Sequence, residues 1–401
     1  MWPAFMVMSR GLRAGGRLGP PWFLKMLVRP QWLFESTTPI PHRPITATQP
    51  RPRGDADVAL CARIIEAYRI SRGYDDLSTI WSGKLARHYA TLDAALLTGD
   101  PLAVEDQLRW MFRRPFLCGI STPVDYEDPA ARRFWSLMTF DSLVSLAESV
   151  GAIGAENPEQ GLAGRAFAEG IDHLPARIEA KLGISLDFPR VGAPYGVVVG
   201  DRLIVRETGR HLDAAVRLHG AAREHLGAPG EQGRRIVEVG AGFGGVAMWY
   251  IRLLGDRPGS YTIVDLPLMN AVQAYFLGGV YGGAAIVLNG ETSARGRIRI
   301  VPPRILAAGD VGADVVYNQD SLPEMTESAA RGYLDWMARS VSGIFVSCNH
   351  EAGTTASVAQ VVVSELAEQV DGLQRISRAP SWTRRGYVEE IFRCRGSRAQ
   401  P

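Results

Sequence analysis

The 401-residue chain has no excess of charge of either sign. Its 44 Lys and Arg residues balance 42 Asp and Glu residues, which leaves a formal net charge of +2 at pH 7. Apolar residues make up 46% of the chain and charged residues 21%, a composition typical of a globular protein. Because nucleic-acid binding depends largely on clustered Lys and Arg, the composition does not suggest a nucleic-acid partner.

Cysteine is scarce, and long apolar runs are missing. No stretch reaches the roughly 18 to 20 apolar residues that span a bilayer, so we expect no membrane span. The N-terminal stretch is basic and interrupted by Gly and Pro, which is unlike a signal peptide. The cysteines lie far apart at no metal or redox spacing and predict reduced thiols in a cytoplasmic protein: Cys61, Cys118, Cys348 and Cys394.

Three parts of the chain differ in their residue patterns. Residues 1–54 end in a stretch rich in Pro, Thr and Arg, which predicts an N-terminal arm and an extended linker. Residues 55–185 carry helical periodicity, as in DVALCARIIEAYRIS and FWSLMTFDSLVSLAESV, which predicts a mostly helical domain. Residues 186–401 open with a hairpin pattern about Gly200 and Asp201 and continue with alternating strands and helices.

This alternation predicts the fold class. We expect an α/β protein with a Rossmann-like sheet of mostly parallel strands that helices cover on both faces, beside the mostly helical N-terminal domain. The stretch SVAQVVVSELAEQV is predicted as one of the covering helices. The candidate strands are RIVEVG, YTIVD, RIRIV, DVVYNQ and GIFVSC, followed by the pair LQRISR and GYVEEIFRCR.

A glycine-rich loop follows the first of these strands, in RIVEVGAGFGGVA. Gly240, Gly242 and Gly244 form a GxGxG pattern, while Gly245 in the last place gives GxGxxG. Such a loop brings a strand close to the N-terminus of a helix and can approach the phosphates of a dinucleotide or another adenosine cofactor. The glycines alone decide neither the cofactor nor whether the turn serves packing only.

Two acidic residues near the loop narrow the choice of ligand. Glu238, at the end of the first strand, would repel the pyrophosphate of a dinucleotide but attract the ammonium and sulfonium groups of S-adenosylmethionine. Asp265, at the end of the second strand, can accept the ribose hydroxyl groups of either cofactor. We therefore predict an S-adenosylmethionine site, with an NAD site as the alternative.

The sequence also resembles the sugar O-methyltransferases, a group of class I S-adenosylmethionine-dependent methyltransferases. The resemblance covers roughly Leu182–Phe392 and rests on IVEVGAGFGGVA, YTIVDLPLMNAVQAYFL, ADVVYNQDSLPEM and VSCNHE, with weaker similarity in LGISLDFPRVGAPYGVVVGDRLIV. It implies methyl transfer to a hydroxyl group of a sugar or glycosylated metabolite. The residues implied to hold the cofactor are Glu238, Gly240, Gly242 and Gly244 at the methionine end, Asp265 and Leu266 at the ribose and adenine, and Asn318 to Asp320 beside the methyl group.

Methyl transfer to a sugar needs a base, because a sugar hydroxyl is barely acidic and must lose its proton as the new bond forms. Open α/β sheets build their sites at the carboxyl ends of the strands. The candidates there are Asp320 and Glu324 after the fourth strand and His350 after the fifth, and His350 has the ordinary pKa best suited to take a proton near neutrality. Asp320 and Glu324 could instead hold a divalent metal, but a full ligand set is missing, so we predict no metal site.

The segment PSWTRRGY offers a further contact with an acceptor. Trp382 could stack on a sugar face, and Arg384 or Arg385 could reach a phosphate or a carboxylate. An exposed turn is the equal alternative.

The sequence thus predicts a cytoplasmic S-adenosylmethionine-dependent O-methyltransferase that acts on a sugar-containing small molecule. The alternatives are a methyltransferase for a non-sugar small molecule, an NAD-dependent oxidoreductase and a cofactor-binding scaffold without catalysis. The acceptor, the hydroxyl position and the formation of a homo-oligomer are left open by the sequence.

Overall fold

The computed structural model describes residues 43–73, 81, 83, 85–117, 129–157, 159, 171–292, 297–309, 311–355 and 358–396. Most of the predicted N-terminal arm, up to residue 42, and Cys118 lie outside these residues. The other three cysteines are buried free thiols, in agreement with the reduced thiols that the sequence predicts. No helix in the described part of the chain is both long and apolar enough to cross a membrane.

Helices and strands occupy most of the described residues. The helices are α1 (Asp55–Ser71), α2 (Ala90–Thr98), α3 (Pro101–Leu108), α4 (Pro129–Ser149), α5 (Leu174–Leu182), α6 (Thr208–Leu226), α7 (Gly245–Leu254), α8 (Pro267–Tyr281), α9 (Arg304–Ala307), α10 (Glu327–Ser340) and α11 (Val363–Glu368). The strands are β1 (Ile45–Ala47), β2 (Tyr195–Val199), β3 (Arg202–Ile204), β4 (Arg234–Val239), β5 (Gly259–Val264), β6 (Ile286–Leu288), β7 (Ile298–Val301), β8 (Ala313–Gln319), β9 (Val341–His350), β10 (Thr354–Thr355), β11 (Val358–Ala359), β12 (Leu373–Pro380) and β13 (Tyr387–Cys394).

Eight strands form the central sheet, in the order β12-β13-β9-β8-β4-β5-β7-β6. Within it, β13 runs antiparallel to both neighbours, and the other pairs are parallel. From β4 the chain adds β5, then the edge strand β6, then β7 between these two, and it returns to add β8 on the other side of β4. The predicted α/β class with a Rossmann-like, mostly parallel sheet is confirmed, and so is the hairpin of β2 and β3, in which Val199 pairs with Arg202.

Both faces of the sheet are buried, which explains the continuous apolar runs of its strands. On β4, Ile236 packs into one hydrophobic core and Val237 into the other, as the two-residue period of a strand requires. The core around Ile236 also contains Ile64 of α1 and Trp135 of α4. The N-terminal helices therefore share a core with one face of the sheet, and the division into domains at residues 54 and 185 stays a prediction.

One predicted helix is much shorter than expected. Within SVAQVVVSELAEQV only Val363–Glu368 is helical, and Val358–Ala359 forms β11, which pairs with β10. Three consecutive valines, at positions 361–363, are β-branched and restricted at χ1, which favours extended backbone over helix. The prediction of a continuous helix was wrong for this reason.

Arg63 ties α1 to the edge of the sheet. Its guanidinium donates to both carboxylate oxygens of Glu291, each at 2.7 Å, and to the carbonyl oxygens of Gly283 and Ile286 at 2.7 and 2.8 Å. These bonds connect residues far apart in the chain. A two-point, charge-assisted contact of this kind is among the stronger polar interactions in proteins.

We expect Arg63→Ala to lower the free energy of unfolding by about 1–3 kcal/mol, because it removes these bonds and leaves two carbonyls without their donor. Arg69→Ala is the matched control, since Arg69 pairs with the exposed Glu66 on the same helix and should contribute less than about 0.5 kcal/mol. Urea denaturation measures both. An equal loss in the two variants would contradict the role given to Arg63.

Candidate active site

A cavity of about 670 Å³ lies at the carboxyl ends of β4, β5 and β8. Its volume falls within the roughly 300–1,000 Å³ of small-molecule sites. The strand order reverses here, and open α/β sheets bind their ligands at such a reversal. Seven of the predicted site residues line the cavity: Glu238, Gly240, Gly242, Asp265, Leu266, Asp320 and Glu324.

The glycine loop makes a sharp turn between β4 and α7. Gly240, Gly242 and Gly244 have φ angles of 73°, 59° and 90°, in the left-handed region that side chains with a Cβ rarely adopt. The conformation therefore matches the GxGxG pattern. A Cβ on Gly240 would also clash with the side chain of Ser321, so this glycine is needed for close approach as well.

The other two loop glycines, Gly244 and Gly245, are not among the residues that line the cavity. Gly244 is the N-cap of α7, and a Cβ there would meet Leu277 rather than the cavity. Gly245 has no left-handed φ, but a Cβ on it would clash with the ring of His211. Gly244 thus allows the turn on the side that packs against Leu277. Its predicted direct contact with a cofactor stays a prediction.

Asp265 holds the glycine loop from the neighbouring strand. Its Oδ2 accepts from the backbone N–H of Ala241 at 2.9 Å and from Gln273 Nε2 at 2.6 Å, and its Oδ1 accepts from the N–H of Leu266 at 2.8 Å. Burial raises the pKa of Asp265 to about 6, and these hydrogen bonds oppose the rise. The Ala241 amide is therefore engaged by a carboxylate and does not point freely toward the cavity.

Glu238 is buried in the same wall, at 2% exposure. Its Oε2 accepts a hydrogen bond from the Tyr261 hydroxyl at 2.9 Å. Burial raises the pKa of Glu238 to about 8, although the Tyr261 bond lowers it. At pH 7 the carboxyl is mainly protonated, so the negative charge that the sequence argument assigned to Glu238 develops only when a cation approaches.

Asp320 follows β8 with a backbone φ of 67°, which is uncommon for a residue other than glycine. Its N–H donates to Asn349 Oδ1 at 2.8 Å, which holds this strained turn in place. Its carboxylate pairs with Arg384, and its side chain keeps 41% exposure. Backbone strain at a partly exposed acid on a cavity wall is typical of functional positions.

Glu324 brings the N-terminal part of the chain into the site. Its Oε2 accepts from the indole N–H of Trp81 at 2.7 Å, and both side chains line the cavity. Trp81 belongs to residues 55–185, which the sequence predicts as a mostly helical domain. The described residues contain no group of three or more His, Cys, Asp or Glu side chains placed to hold a metal ion.

Like Gly244, the predicted site residues His350 and Asn318 lie outside the cavity lining. The ring of His350 is edge-on to Tyr387, and burial lowers the pKa of this histidine. Asn318 is fully buried, and its amide group donates to the Val239 carbonyl at 2.9 Å and to Ser321 Oγ. The structure therefore places Asn318 behind the wall, where it joins the ends of β4 and β8.

Sequence reasoning missed a basic group in the wall, formed by Arg206 and Arg210 at the start of α6. Together with Arg384, from the turn between β12 and β13, they line the cavity, and we call these three residues the arginine cluster. A signal was present in the sequence, because a basic residue in the first turn of a helix opposes the helix dipole. Of the other residues in PSWTRRGY, Arg385 is exposed and Trp382 is 50% exposed.

His211 lies beside the arginine cluster and was also missed. It lines the cavity, and its Nδ1 is buried without a hydrogen-bond partner among the described residues. Burial lowers the pKa of His211 to about 3, and the positive charges of Arg384 and Arg210 lower it further. The ring is therefore neutral at pH 7.

No family model and no curated protein matches this chain. Several solved structures are similar at low identity. The mitomycin 7-O-methyltransferase MmcR is 14% identical over 84% of this chain and 94% of its own, with a TM-score of 0.34. An O-methyltransferase family 2 protein from Planctomyces limnophilus, solved with apigenin, is 9% identical over 65% and 93%, with a TM-score of 0.33. The O-methyltransferase TomG from Streptomyces achromogenes, solved with S-adenosylmethionine, is 14% identical over 45% and 79%, with a TM-score of 0.31. Likenesses this weak do not assign a function.

We expect Gly240→Ala to lower the free energy of unfolding by about 2–4 kcal/mol, because a left-handed alanine costs about 1–2 kcal/mol and the clash with Ser321 adds to it. Gly183→Ala is the control, since Gly183 is also left-handed, with φ of 71° and ψ of 22°, but a Cβ there meets no atom of the described structure within 4 Å. It should cost only the backbone part. Guanidinium denaturation compares the two variants, and indistinguishable losses would refute the close approach at Gly240.

Proposed function

We propose that this protein is an S-adenosylmethionine-dependent O-methyltransferase that methylates a hydroxyl group of a sugar-containing small molecule. One observation carries the proposal. A single cavity presents Glu238 and Asp265 on its wall over β4 and β5 and presents Asp320 and Glu324 beyond β8. The first pair suits a cationic adenosine cofactor, and the second pair suits an acceptor rich in hydroxyl groups.

Glu238 and Asp265, on the wall over β4 and β5, fit the chemistry of the cofactor. Glu238 can ionise to balance the ammonium group of the methionine end. Asp265 Oδ1 accepts from Leu266, and a carboxylate oxygen can accept a further bond from a ribose hydroxyl. When bound, S-adenosylmethionine supplies an electrophilic methyl group on its sulfonium.

The same wall argues against NAD. A diphosphate at this position would need backbone amides of the glycine loop as donors. The amide of Ala241 donates to Asp265 instead, and Gly242 also contributes a hydrogen bond to that carboxylate. A diphosphate would also meet the negative charge of Asp265, whose pKa of about 6 leaves it mainly ionised at pH 7.

Asp320 is the base in this proposal. Of the three predicted candidates, Asp320 and Glu324 line the cavity and His350 does not. Asp320 would accept the proton of the acceptor hydroxyl on its carboxylate as the oxygen gains its methyl group. Arg384 orients that carboxylate, and Glu324, held by Trp81, would accept a hydrogen bond from another hydroxyl.

The acceptor class is supported by the mixture of groups on the wall. Carboxylates accept hydrogen bonds from sugar hydroxyls, and the aromatic rings of Trp81, Tyr333 and Trp336 line the same cavity. Aromatic faces pack against the apolar C–H face of a sugar ring. A non-sugar polyhydroxylated acceptor would meet the same groups.

We expect S-adenosylhomocysteine, and not NAD, to bind. At 100 times its dissociation constant a ligand adds about 2.7 kcal/mol of stability, which is visible in a thermal shift assay. The affinity for S-adenosylhomocysteine should rise with pH between about 6.5 and 8, by at most roughly tenfold per pH unit. The reason is that the ammonium group of the ligand binds the ionised form of Glu238, whose pKa is about 8 in the free protein.

Glu238→Gln is the matched variant for this pH effect. It should bind S-adenosylhomocysteine more weakly at pH 8 and with little dependence on pH, as measured by isothermal titration calorimetry. Starting above pH 6.5 keeps the titration of Asp265, near pH 6, out of the comparison. Stabilisation by NAD alone would overturn the proposed cofactor, and a pH slope unchanged in Glu238→Gln would overturn the role of Glu238.

We expect Asp320→Asn to lower kcat by about 10²–10⁴-fold, the usual contribution of a general base, while the affinity for S-adenosylhomocysteine stays within a few fold. His350→Ala should retain most of the activity, since its ring packs on Tyr387 outside the lining. Transfer of a labelled methyl group to a panel of sugars measures both. Full activity in Asp320→Asn, or a loss confined to His350→Ala, would reverse the assignment of the base.

A further inference from the structure

The arginine cluster carries more positive charge than its neighbours balance. Glu207 pairs with Arg206, and Asp320 pairs with Arg384. Arg210 forms no ion pair within the described residues, and its buried Nε has no hydrogen-bond partner there. His211 beside it is neutral at pH 7. One guanidinium on the wall of the cavity is therefore left without a counter-ion from the described protein.

Arg210 is also charged at physiological pH. Burial lowers its pKa to about 10, and the positive charges of Arg384 and Arg206 contribute to the decrease. At that value the guanidinium is still protonated near neutrality. Arg210 is half-buried, and a charge that is partly withdrawn from water without a partner is costly for a protein. A ligand that brings a negative charge reduces that cost.

One member of the arginine cluster, Arg384, lies beside the proposed base. Arg384 bonds to Asp320 at the end of β8, and it is the charged neighbour with the largest effect on Arg210. In the sheet, β8, β9 and β13 lie on one side of β4, while β5, which ends at Asp265, lies on the other. The unbalanced charge is thus close to the proposed base rather than to the proposed ribose site.

We propose that Arg210 binds an anionic group of the acceptor, a carboxylate or a phosphate, so that the acceptor is an acidic sugar such as a uronic acid or a sugar phosphate. This inference rests on the proposed function and narrows its acceptor class from sugar-containing molecules to acidic sugars. The planar guanidinium can donate two parallel hydrogen bonds to either group, which fixes orientation as well as charge. An anion held there would anchor the acceptor beside Asp320, and such positioning is a large part of catalysis in a transfer reaction.

Anion binding tests this inference before the acceptor is known. Protein saturated with S-adenosylhomocysteine is titrated at constant ionic strength with sodium phosphate, sodium glucuronate or glucose, and dissociation constants are taken from thermal shifts. We expect both anions to bind the wild type at least about tenfold more tightly than Arg210→Gln, and glucose to bind both alike. The relative affinities of the two anions indicate whether the natural group is a phosphate or a carboxylate.

Two further variants control for charge and folding. Arg385→Gln removes the same charge from the exposed residue next to Arg384 and should leave anion binding unchanged. Arg210→Lys keeps the charge without the paired donors and should bind glucuronate with intermediate affinity. It also serves as the test variant if Arg210→Gln does not fold, and binding equal to that of the wild type would then count against the two-point contact.

The outcomes separate this inference from the proposed function. If S-adenosylhomocysteine binds but the anions bind wild type and Arg210→Gln equally, the inference is wrong and the function stands. If anions bind the complex with 5′-methylthioadenosine but not that with S-adenosylhomocysteine, Arg210 holds the carboxylate of the cofactor, and the inference is also wrong. If S-adenosylhomocysteine does not bind at all, the proposed function fails, and anion titration of the cofactor-free protein still tests Arg210.

Discussion

The candidate site depends on one interaction, the hydrogen bonding of the Asp265 carboxylate to the glycine loop. A loop with three glycines in the left-handed region has much conformational freedom in the unfolded chain, and something must hold it in the fold. Asp265 does so by accepting from Ala241 at the turn and from Gln273 on α8, which joins β4, β5 and the helix behind them. These hydrogen bonds hold the part of the cavity wall over β4 and β5 in place.

A second set of hydrogen bonds behind the wall determines where Asp320 lies. Asn349 donates to Asn318 Oδ1 at 3.0 Å and accepts from the N–H of Asp320, while Asn318 reaches the carbonyl of Val239. These bonds connect β9, β8 and β4 below the cavity. A left-handed aspartate is unfavourable by itself, so its persistence here depends on this buried network.

The charges in the cavity are arranged asymmetrically. Burial raises the pKa of Glu238 and of Asp265, so the acids over β4 and β5 are less charged than exposed carboxylates would be. Beyond β8, the arginine cluster holds three guanidinium groups against the two carboxylates paired with them, those of Glu207 and Asp320. One end of the cavity can therefore accept a cation by losing a proton, while the other end already carries a positive charge. A cationic methyl donor and an anionic methyl acceptor would therefore be favoured at opposite ends of the cavity.

The sequence by itself determined seven of the eight sheet strands, all except the short β6, together with the glycine turn and most of the cavity wall over β4 and β5. Strand period, glycine spacing and acids at strand ends are local patterns. It did not reveal the Trp81–Glu324 contact or the grouping of Arg206 and Arg210 with Arg384, because those side chains come from segments far apart in the chain. The protonation of Glu238 and the burial of Asn318 also needed the tertiary structure, since both follow from which atoms surround a side chain. For the same reason His350, which has the most suitable pKa in isolation, lies outside the cavity, while Asp320 lies within it.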